Sequence, residues 1–356
     1  MRNSFSINKG KINEKSIINV PLINDCNDIF HYTSTEGLRN ILQTKKLWFS
    51  GIQYLNDANE IKEGIKAIRD YFDMLDDGQD YSKLKPISDM FFEHLERNVL
   101  NVNVFVCSFS FGNDELPLWR YYTKDNICQG YNICFSLEKL LQTLIKQNLE
   151  LLDGCYLTYG NAIYYDRNEQ DEIEKIVNGI LYKFAEKYPT ISKQILMASK
   201  KIFELFIKLT DKQNIYFNEQ VDSVILEAQT IEKYLANIYW FDTKKICFEK
   251  SMFADPTFYI KNKTFESEKE IRIVIQIPDD KMKDIQDKIK FRTCNGILVP
   301  YLEMEFGTEA IDGFNLSPTL KNDIVERGLR KYIDCCGFDI NKMEYGIQKS
   351  QIPLRY

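Results

Sequence analysis

The sequence predicts an α+β protein built on a mixed, largely antiparallel sheet and interrupted by a helical insertion. Three observations carry that prediction. Runs with strand character recur toward both ends of the chain, among them "DIFHYT", "NVNVFVCSFSF", "YNICFS" and "KEIRIVIQI". Helical segments fall between them without the regular strand–helix alternation of a parallel sheet. From about residue 137 to 240 the texture changes and becomes mainly helical, with charges interleaved.

Taken in order, residues 1–27 are polar and weakly patterned, an extended lead-in. "DIFHYT" reads as a short strand. Thr33 is followed three residues later by Glu36, the spacing of a capping box, and Leu38, Ile41 and Leu42 supply a helical stripe. "KLWFSG" is the next strand. In "NDANE", Asn56 or Asp57 caps a longer helix carried by Ile61, Ile65, Ile68, Phe72 and Leu75. Residues 77–86 are turn-rich, and 87–98 form another helix that bears His94. The continuous apolar centre of "NVNVFVCSFSF" predicts a strand buried on both faces. "DELPLWRYYTKD" is a short helix or ordered loop, and "YNICFS" a strand. "SLEKLLQTLIKQNLELL" is helical, "CYLTYGNAIYYD" strand-like, and 169–238 mostly helical. β character returns at "KKICFEKSMF", "KEIRIVIQI" and "GILVPYLEMEF", before a helix at 319–335 and a terminal "YGIQKSQIPLRY". The organisation expected is one domain over 28–356 with a mainly helical insertion at about 167–240.

Composition narrows the function classes. An apolar content of 44% and aromatic content of 13% suffice for a packed core and argue against disorder. The formal charge of −6 argues against broad, backbone-driven nucleic-acid binding, although a local basic groove is compatible with it. Nine cysteines, an odd number with no C-x-x-C, read as small buried hydrophobes in a reducing cytosol. With two histidines and no close Cys/His/carboxylate spacing, no metal site is expected. No signal peptide and no membrane-length apolar run is visible, which predicts a cytoplasmic protein. P-loop, Rossmann, nucleophile-elbow and zincin motifs are absent.

Three stretches have the residue types that chemistry needs. In "FESEKEIRIVIQIP", strand alternation puts Ile271, Ile273, Ile275 and Ile277 on one face and Glu268, Glu270 and Arg272 on the other. That second face is either a solvated edge whose charges screen each other, the simpler reading, or a cleft where an arginine orients a carboxylate. "LWRYY" supplies Trp119, Arg120, Tyr121 and Tyr122, which is core packing with an arginine at its rim or a stacking platform with a cation for phosphate. His31 is either a satisfied strand histidine or a residue beside an anion-favouring helix start.

In their order, "HYTSTEGL", "NDANE", "CSFS", "LWRYY", "YNICFS", "EKEIR" and "SQIPLRY" resemble the bacterial family known as domain of unknown function 2971. A His on an early strand, a downstream aromatic and a late-strand Glu are similar, more distantly, to His-Tyr-Glu ADP-ribosyltransferases. That resemblance implies an ADP-ribosyltransferase-like fold with NAD as substrate. It implies His31 as ribose-orienting residue, Tyr121 or Tyr122 as the ring stacked on nicotinamide, and Glu270 as catalytic carboxylate. Glu268 is the reserve or acceptor-orienting acid, and Arg272 fixes the glutamates or meets a phosphate. Tyr32, Thr33, Asn56, Asp57, Trp119 and Arg120 complete the implied NAD neighbourhood. Tyr32 departs from the pattern, since it replaces the small residue that usually approaches nicotinamide. The function implied is a toxin or phage-defence transferase acting on an unknown protein or nucleic-acid acceptor. Alternatives are a non-catalytic nucleotide- or nucleic-acid-sensing module on the same scaffold, and a protein-interaction domain. The spatial test is whether His31, Tyr121 or Tyr122, and Glu270 line one pocket; if His31 and Glu270 point into different sides of the sheet, the enzymatic reading is to be dropped.

Overall fold

The computed structural model describes residues 18, 20–22, 27–54, 66, 103–123, 128–166, 238–250, 256–294 and 296–354. The strands are β1 (Asp28–Thr33), β2 (Lys46–Gly51), β3 (Val104–Ser110), β4 (Tyr131–Ser136), β5 (Tyr156–Asn161) and β6 (Ile163–Tyr165). They continue as β7 (Ile238–Asp242), β8 (Cys247–Lys250), β9 (Ile260–Asn262) and β10 (Glu270–Gln276). The last four are β11 (Lys290–Cys294), β12 (Ile297–Glu305), β13 (Ile311–Leu316) and β14 (Gly346–Lys349). Among the described residues the longer helices are α1 (Thr35–Thr44), α2 (Leu116–Tyr121), α3 (Leu137–Gln147) and α4 (Asp323–Cys335).

Twelve strands form one sheet in the order β14-β13-β4-β1-β3-β10-β5-β7-β8, and an arm β2–β12–β11 branches from β3. Among the described strands only β13–β14 is parallel within it, so the fold is mixed α+β with a largely antiparallel sheet. β6 and β9 make a separate parallel pair.

The branch point positions the site. β3 pairs with β10 along its whole length, from Val104 to Ser110. Its other edge is shared: Ser110 pairs with Phe30 of β1, whereas Val106 and Phe105 pair with Ser50 and Gly51 of β2. Between these contacts β1 and β2 diverge, and the sheet forks beside Cys107–Phe109.

The two faces differ. Ile271, Ile273 and Ile275 pair with Phe109, Cys107 and Phe105, and join a continuous core with α1, α3 and α4. Helix α3 follows β4 directly; Ser136 caps it by accepting from Lys139 N at 3.4 Å, and Leu137, Leu140, Leu141, Leu144 and Ile145 are buried. Each such side chain stabilises the fold by about 1.5–3 kcal/mol. The opposite face carries Ser108, Ser110, Glu270 and Arg272, with Tyr32, Leu118, Trp119 and Cys128 in a smaller cluster nearby.

Several expectations shift. Thr33 is not the cap of α1 but the last rung of β1, opposite Tyr131, and Ser34 caps the helix by accepting from Gly37 N at 3.1 Å. The ladder claims Thr33, and Glu36 pairs instead with Arg39 at 3.8 Å. Residues 238–240, expected at the end of the helical insertion, begin β7. The final helix starts at Asp323 after an Asn322 cap, four residues later than periodicity suggested. β9, β11 and β13, being short, polar or glycine-interrupted, carry no strand pattern in the sequence. The caps at Asn56 and Asp57, the helices around them, His94 and the bulk of the helical insertion lie outside the described residues. Of the described cysteines, Cys107, Cys128, Cys134 and Cys155 are buried. No described helix is long and apolar enough to cross a membrane.

Candidate functional site

A cleft of about 800 Å³ opens at the fork. Its lining includes His31, Tyr121, Tyr122 and both Glu268 and Glu270, residues that come from β1, α2, the turn before β10 and β10 itself. Tyr32 and Thr33 also line it, and Trp48 and Arg292 approach from the β2–β12–β11 arm.

Strand register sorts these residues by face. Glu270 pairs with Ser110, which pairs with Phe30, so Tyr32 shares the face of Glu270 and His31 falls on the other. In a continuous sheet that parity would separate His31 from Glu270. Here the strands part beside it. The ring of His31 reaches the exposed edge of β3, where Nδ1 lies 3.2 Å from the Ser108 carbonyl oxygen, and both residues line the same cleft. By register His31 and Glu270 therefore lie on different faces of the sheet, which stands against the enzymatic reading, while their shared cleft at the fork stands for it.

A carbonyl can only accept, so Nδ1 of His31 carries the proton and Nε2 is left as an acceptor in the neutral ring. Burial lowers the pKa of this half-buried histidine, which the Ser108 bond only partly offsets. Phe109 packs against the ring with centroids 5.5 Å apart.

The acidic end is built differently from a solvated edge. β10 is an interior strand, laddered to β3 and β5, and every residue from Glu270 to Ile275 is buried. Glu268 precedes the strand at the end of a 3-10 turn over Lys263–Glu268, and Lys269 makes the bend at φ 47°. Arg272 sits opposite Gly160, which has no side chain to occupy that face. Its Nε and NH2 donate to the two oxygens of Glu270 at 2.9 and 3.1 Å, and NH1 donates to the Phe258 carbonyl at 2.8 Å. Lys261, on β9, donates to Glu270 at 2.9 Å and to Glu268 at 2.5 Å. Tyr122 donates to Glu268 at 3.1 Å, and the Tyr164 hydroxyl accepts from Glu270 N at 2.7 Å.

These four charged side chains form a buried quartet of two anions and two cations. Burial alone would raise the pKa of Glu270, but the Arg272 and Lys261 charges overcome it and hold the carboxyl at about 2. Its Oε2 takes two donors and Oε1 one, so about one of the four acceptor positions of the carboxylate remains. An anion this firmly ionised is a poor general base. It suits a fixed negative charge that also accepts one hydroxyl.

The other expected residues separate. Tyr122 is anchored beside the carboxylates, while Tyr121 is 70% exposed at the cleft mouth. Trp119 is fully buried outside the lining, donates to Asp114 at 2.8 Å and meets the Tyr32 ring edge-on. It is core packing, not a stacking platform. Arg120 is exposed and does not line the cleft. Arg272 is fully buried beneath Glu270, so it fixes the glutamate and cannot meet a phosphate in the cleft. Tyr32 donates to the Gly112 carbonyl at 2.8 Å and accepts from Glu115 N at 3.0 Å; burial pushes its hydroxyl pKa up. Its hydroxyl is thus committed to a loop rather than to the cleft.

Lys261 and Arg292 carry no marking pattern in the sequence. A lysine in the unremarked tripeptide of β9 gives no signal until its pairing with β6 carries it under β10. No described group of three His, Cys, Asp or Glu side chains could hold a metal ion. No curated protein and no solved structure matches the chain. Residues 118–273, from within α2 to the middle of β10, match the family model described as Protein of unknown function (DUF2971), which supports the family resemblance on the stretch that contains Tyr121, Tyr122, Lys261, Glu268, Glu270 and Arg272.

Proposed function

We propose that the cleft binds NAD and that the protein transfers its ADP-ribose unit. One observation carries the reading: His31, Tyr122 and Glu270, widely separated in sequence, line a single cleft at the fork of the sheet. In this scheme His31 accepts a ribose hydroxyl at Nε2, because Nδ1 is spent on Ser108. Tyr122, held by Glu268, offers its ring to the nicotinamide. The free position on Glu270 Oε1 accepts the neighbouring ribose hydroxyl. As the bond between ribose C1′ and the nicotinamide nitrogen breaks, nicotinamide leaves with the electron pair and positive charge develops on the ribose. The Glu270 carboxylate, ionised at every pH well above 2, then interacts more strongly with the transition state than with the ground state. The acceptor nucleophile attacks C1′ and gives up its proton. A preorganised interaction of this kind is worth about 3–4 kcal/mol.

The test is transfer of label from NAD to protein or nucleic acid, with Glu270→Gln as the inactive control. Absence of both NAD turnover and NAD binding by calorimetry would refute the proposal.

A second reading, a non-catalytic nucleotide-sensing module, is favoured by the charge balance of the quartet. Lys261 and Arg272 neutralise much of the field that Glu268 and Glu270 would project. Tight NAD binding without turnover would select it.

A further inference from the structure

With Arg272 buried under Glu270, the cleft needs another cation if its ligand carries phosphate. Among the cleft-lining cations, Lys46 is paired with Glu303 at 3.3 Å. Arg292, on β11, stands apart: no described carboxylate lies within ion-pairing distance of it. Its NH2 donates to the Ser50 hydroxyl at 3.3 Å, a long bond to a neutral partner. Its Nε is buried and has no hydrogen-bond partner among the described residues. The guanidinium carbon lies 5.9 Å from the ring centroid of Trp48, which itself packs on Tyr301 with centroids 4.4 Å apart. The guanidinium thus lies over an aromatic pair, and a buried donor without an acceptor is a cost that a bound anion would remove.

Register places this cation on the face of Glu270. Arg292 pairs with Val299, Tyr301 pairs with Ser50, and Ser50 pairs with Val106, so all of them share the face of Ser108, Ser110 and Glu270. From Val106 to Ser110 along β3 is about 13 Å, and two strand spacings across it add about 10 Å. That span is too long for one inorganic phosphate and suits a ligand with a sugar at one end and a phosphate group at the other.

We infer that Arg292 is the anion-binding residue of the cleft and takes a phosphate of a nucleoside diphosphate unit whose sugar end lies at Glu270. The inference rests on the NAD reading for the identity of the sugar end, but the anion site itself does not require it. The fork of a guanidinium matches two phosphate oxygens, with Nε supplying one of the donors.

The experiment is calorimetric titration of the full chain and of Arg292→Gln and Arg292→Lys with ADP, NAD and nicotinamide riboside. The riboside has the sugar and base but no phosphate. Arg292→Gln is expected to weaken ADP and NAD by roughly 10- to 100-fold and to leave the riboside within about twofold. Arg292→Lys keeps the charge, and therefore the best chance of folding, but loses the fork; it should fall between wild type and Gln. The ADP affinity of wild type should also decline with salt more steeply than that of Arg292→Gln. Unchanged ADP and NAD affinity in folded Arg292 variants would overturn the inference and leave the NAD proposal standing. ADP bound in an Arg292-dependent manner, with no NAD or riboside bound, would support the anion site and refute the NAD proposal. Binding of none of the three probes would overturn both.

Discussion

Replacing Lys261 with methionine is the sharpest perturbation of the acidic end. The lysine is fully buried and its ammonium bridges Glu268 and Glu270 at 2.5 and 2.9 Å. Methionine fills most of its volume but leaves two buried carboxylates facing one guanidinium. Deleting one partner of a buried ion pair costs about 3–5 kcal/mol, and here one cation serves two anions, so the upper part of that range applies. Against a typical total stability of about 5–15 kcal/mol this is large enough to move a urea midpoint. The pH dependence separates an electrostatic loss from a packing loss. In the wild type, Glu270 has a folded pKa near 2 against an ordinary 4.5, so its stabilisation is complete above pH 4.5 and is lost as pH falls toward 2. The shift corresponds to about 3 kcal/mol. Without Lys261, one of the two carboxylates is pushed upward, because a like charge and burial then act together. The folded variant therefore binds a proton that the unfolded chain binds only at lower pH, and its deficit should shrink between about pH 7 and pH 5. The assay is urea unfolding of both proteins across that range. A deficit below about 1 kcal/mol, or one that does not change with pH, would refute the quartet as a coupled buried unit.

Three further outcomes are expected. His31 should titrate below 6.5, because burial opposes its charged form; the folded state then binds fewer protons than the unfolded one, and stability falls as pH drops below about 6.5. Imidazole NMR with a His31→Gln assignment control measures it, and a pKa at or above 6.5 would contradict the burial argument. Ser34→Ala should cost about 1 kcal/mol by removing the α1 cap to Gly37 N, whereas Thr33→Ser should leave that cap intact; equal helix-cap losses in the two would contradict the assignment. Gly130→Ala should destabilise strongly, because its Cβ would lie 2.4 Å from the backbone oxygen of Thr33 and 2.6 Å from Thr123. Thermal unfolding checks it, and a melting temperature equal to wild type would show that the Thr33–Gly130 approach is not tight.

Period-2 alternation was enough to place Ile271, Ile273, Ile275 and Ile277 together in the core, and they are all buried there. The same alternation could not say whether Glu270 and Arg272 faced water, because that depends on whether β10 has one neighbour or two. It has two, β3 and β5, which came from distant parts of the chain. Hence the simpler reading of "EKEIR" as a solvated edge fails.

Local patterns in the sequence determined the strands with continuous apolar runs, the amphipathic helices α1 and α3, and the residue types gathered at β1, α2 and β10. These are properties of neighbouring residues, since side-chain period follows from backbone geometry. Only the tertiary structure decided the fork between β1 and β2, which lets His31 share a cleft with Glu270 despite lying on the other face of the sheet. It also decided that Lys261, not only Arg272, neutralises the glutamates, and that Arg292 rather than Arg120 or Arg272 is the arginine lining the cleft. Those outcomes depend on strand order and burial. An isolated lysine or arginine in sequence has no marked partner until long-range pairing removes water from around it and fixes which charge it faces.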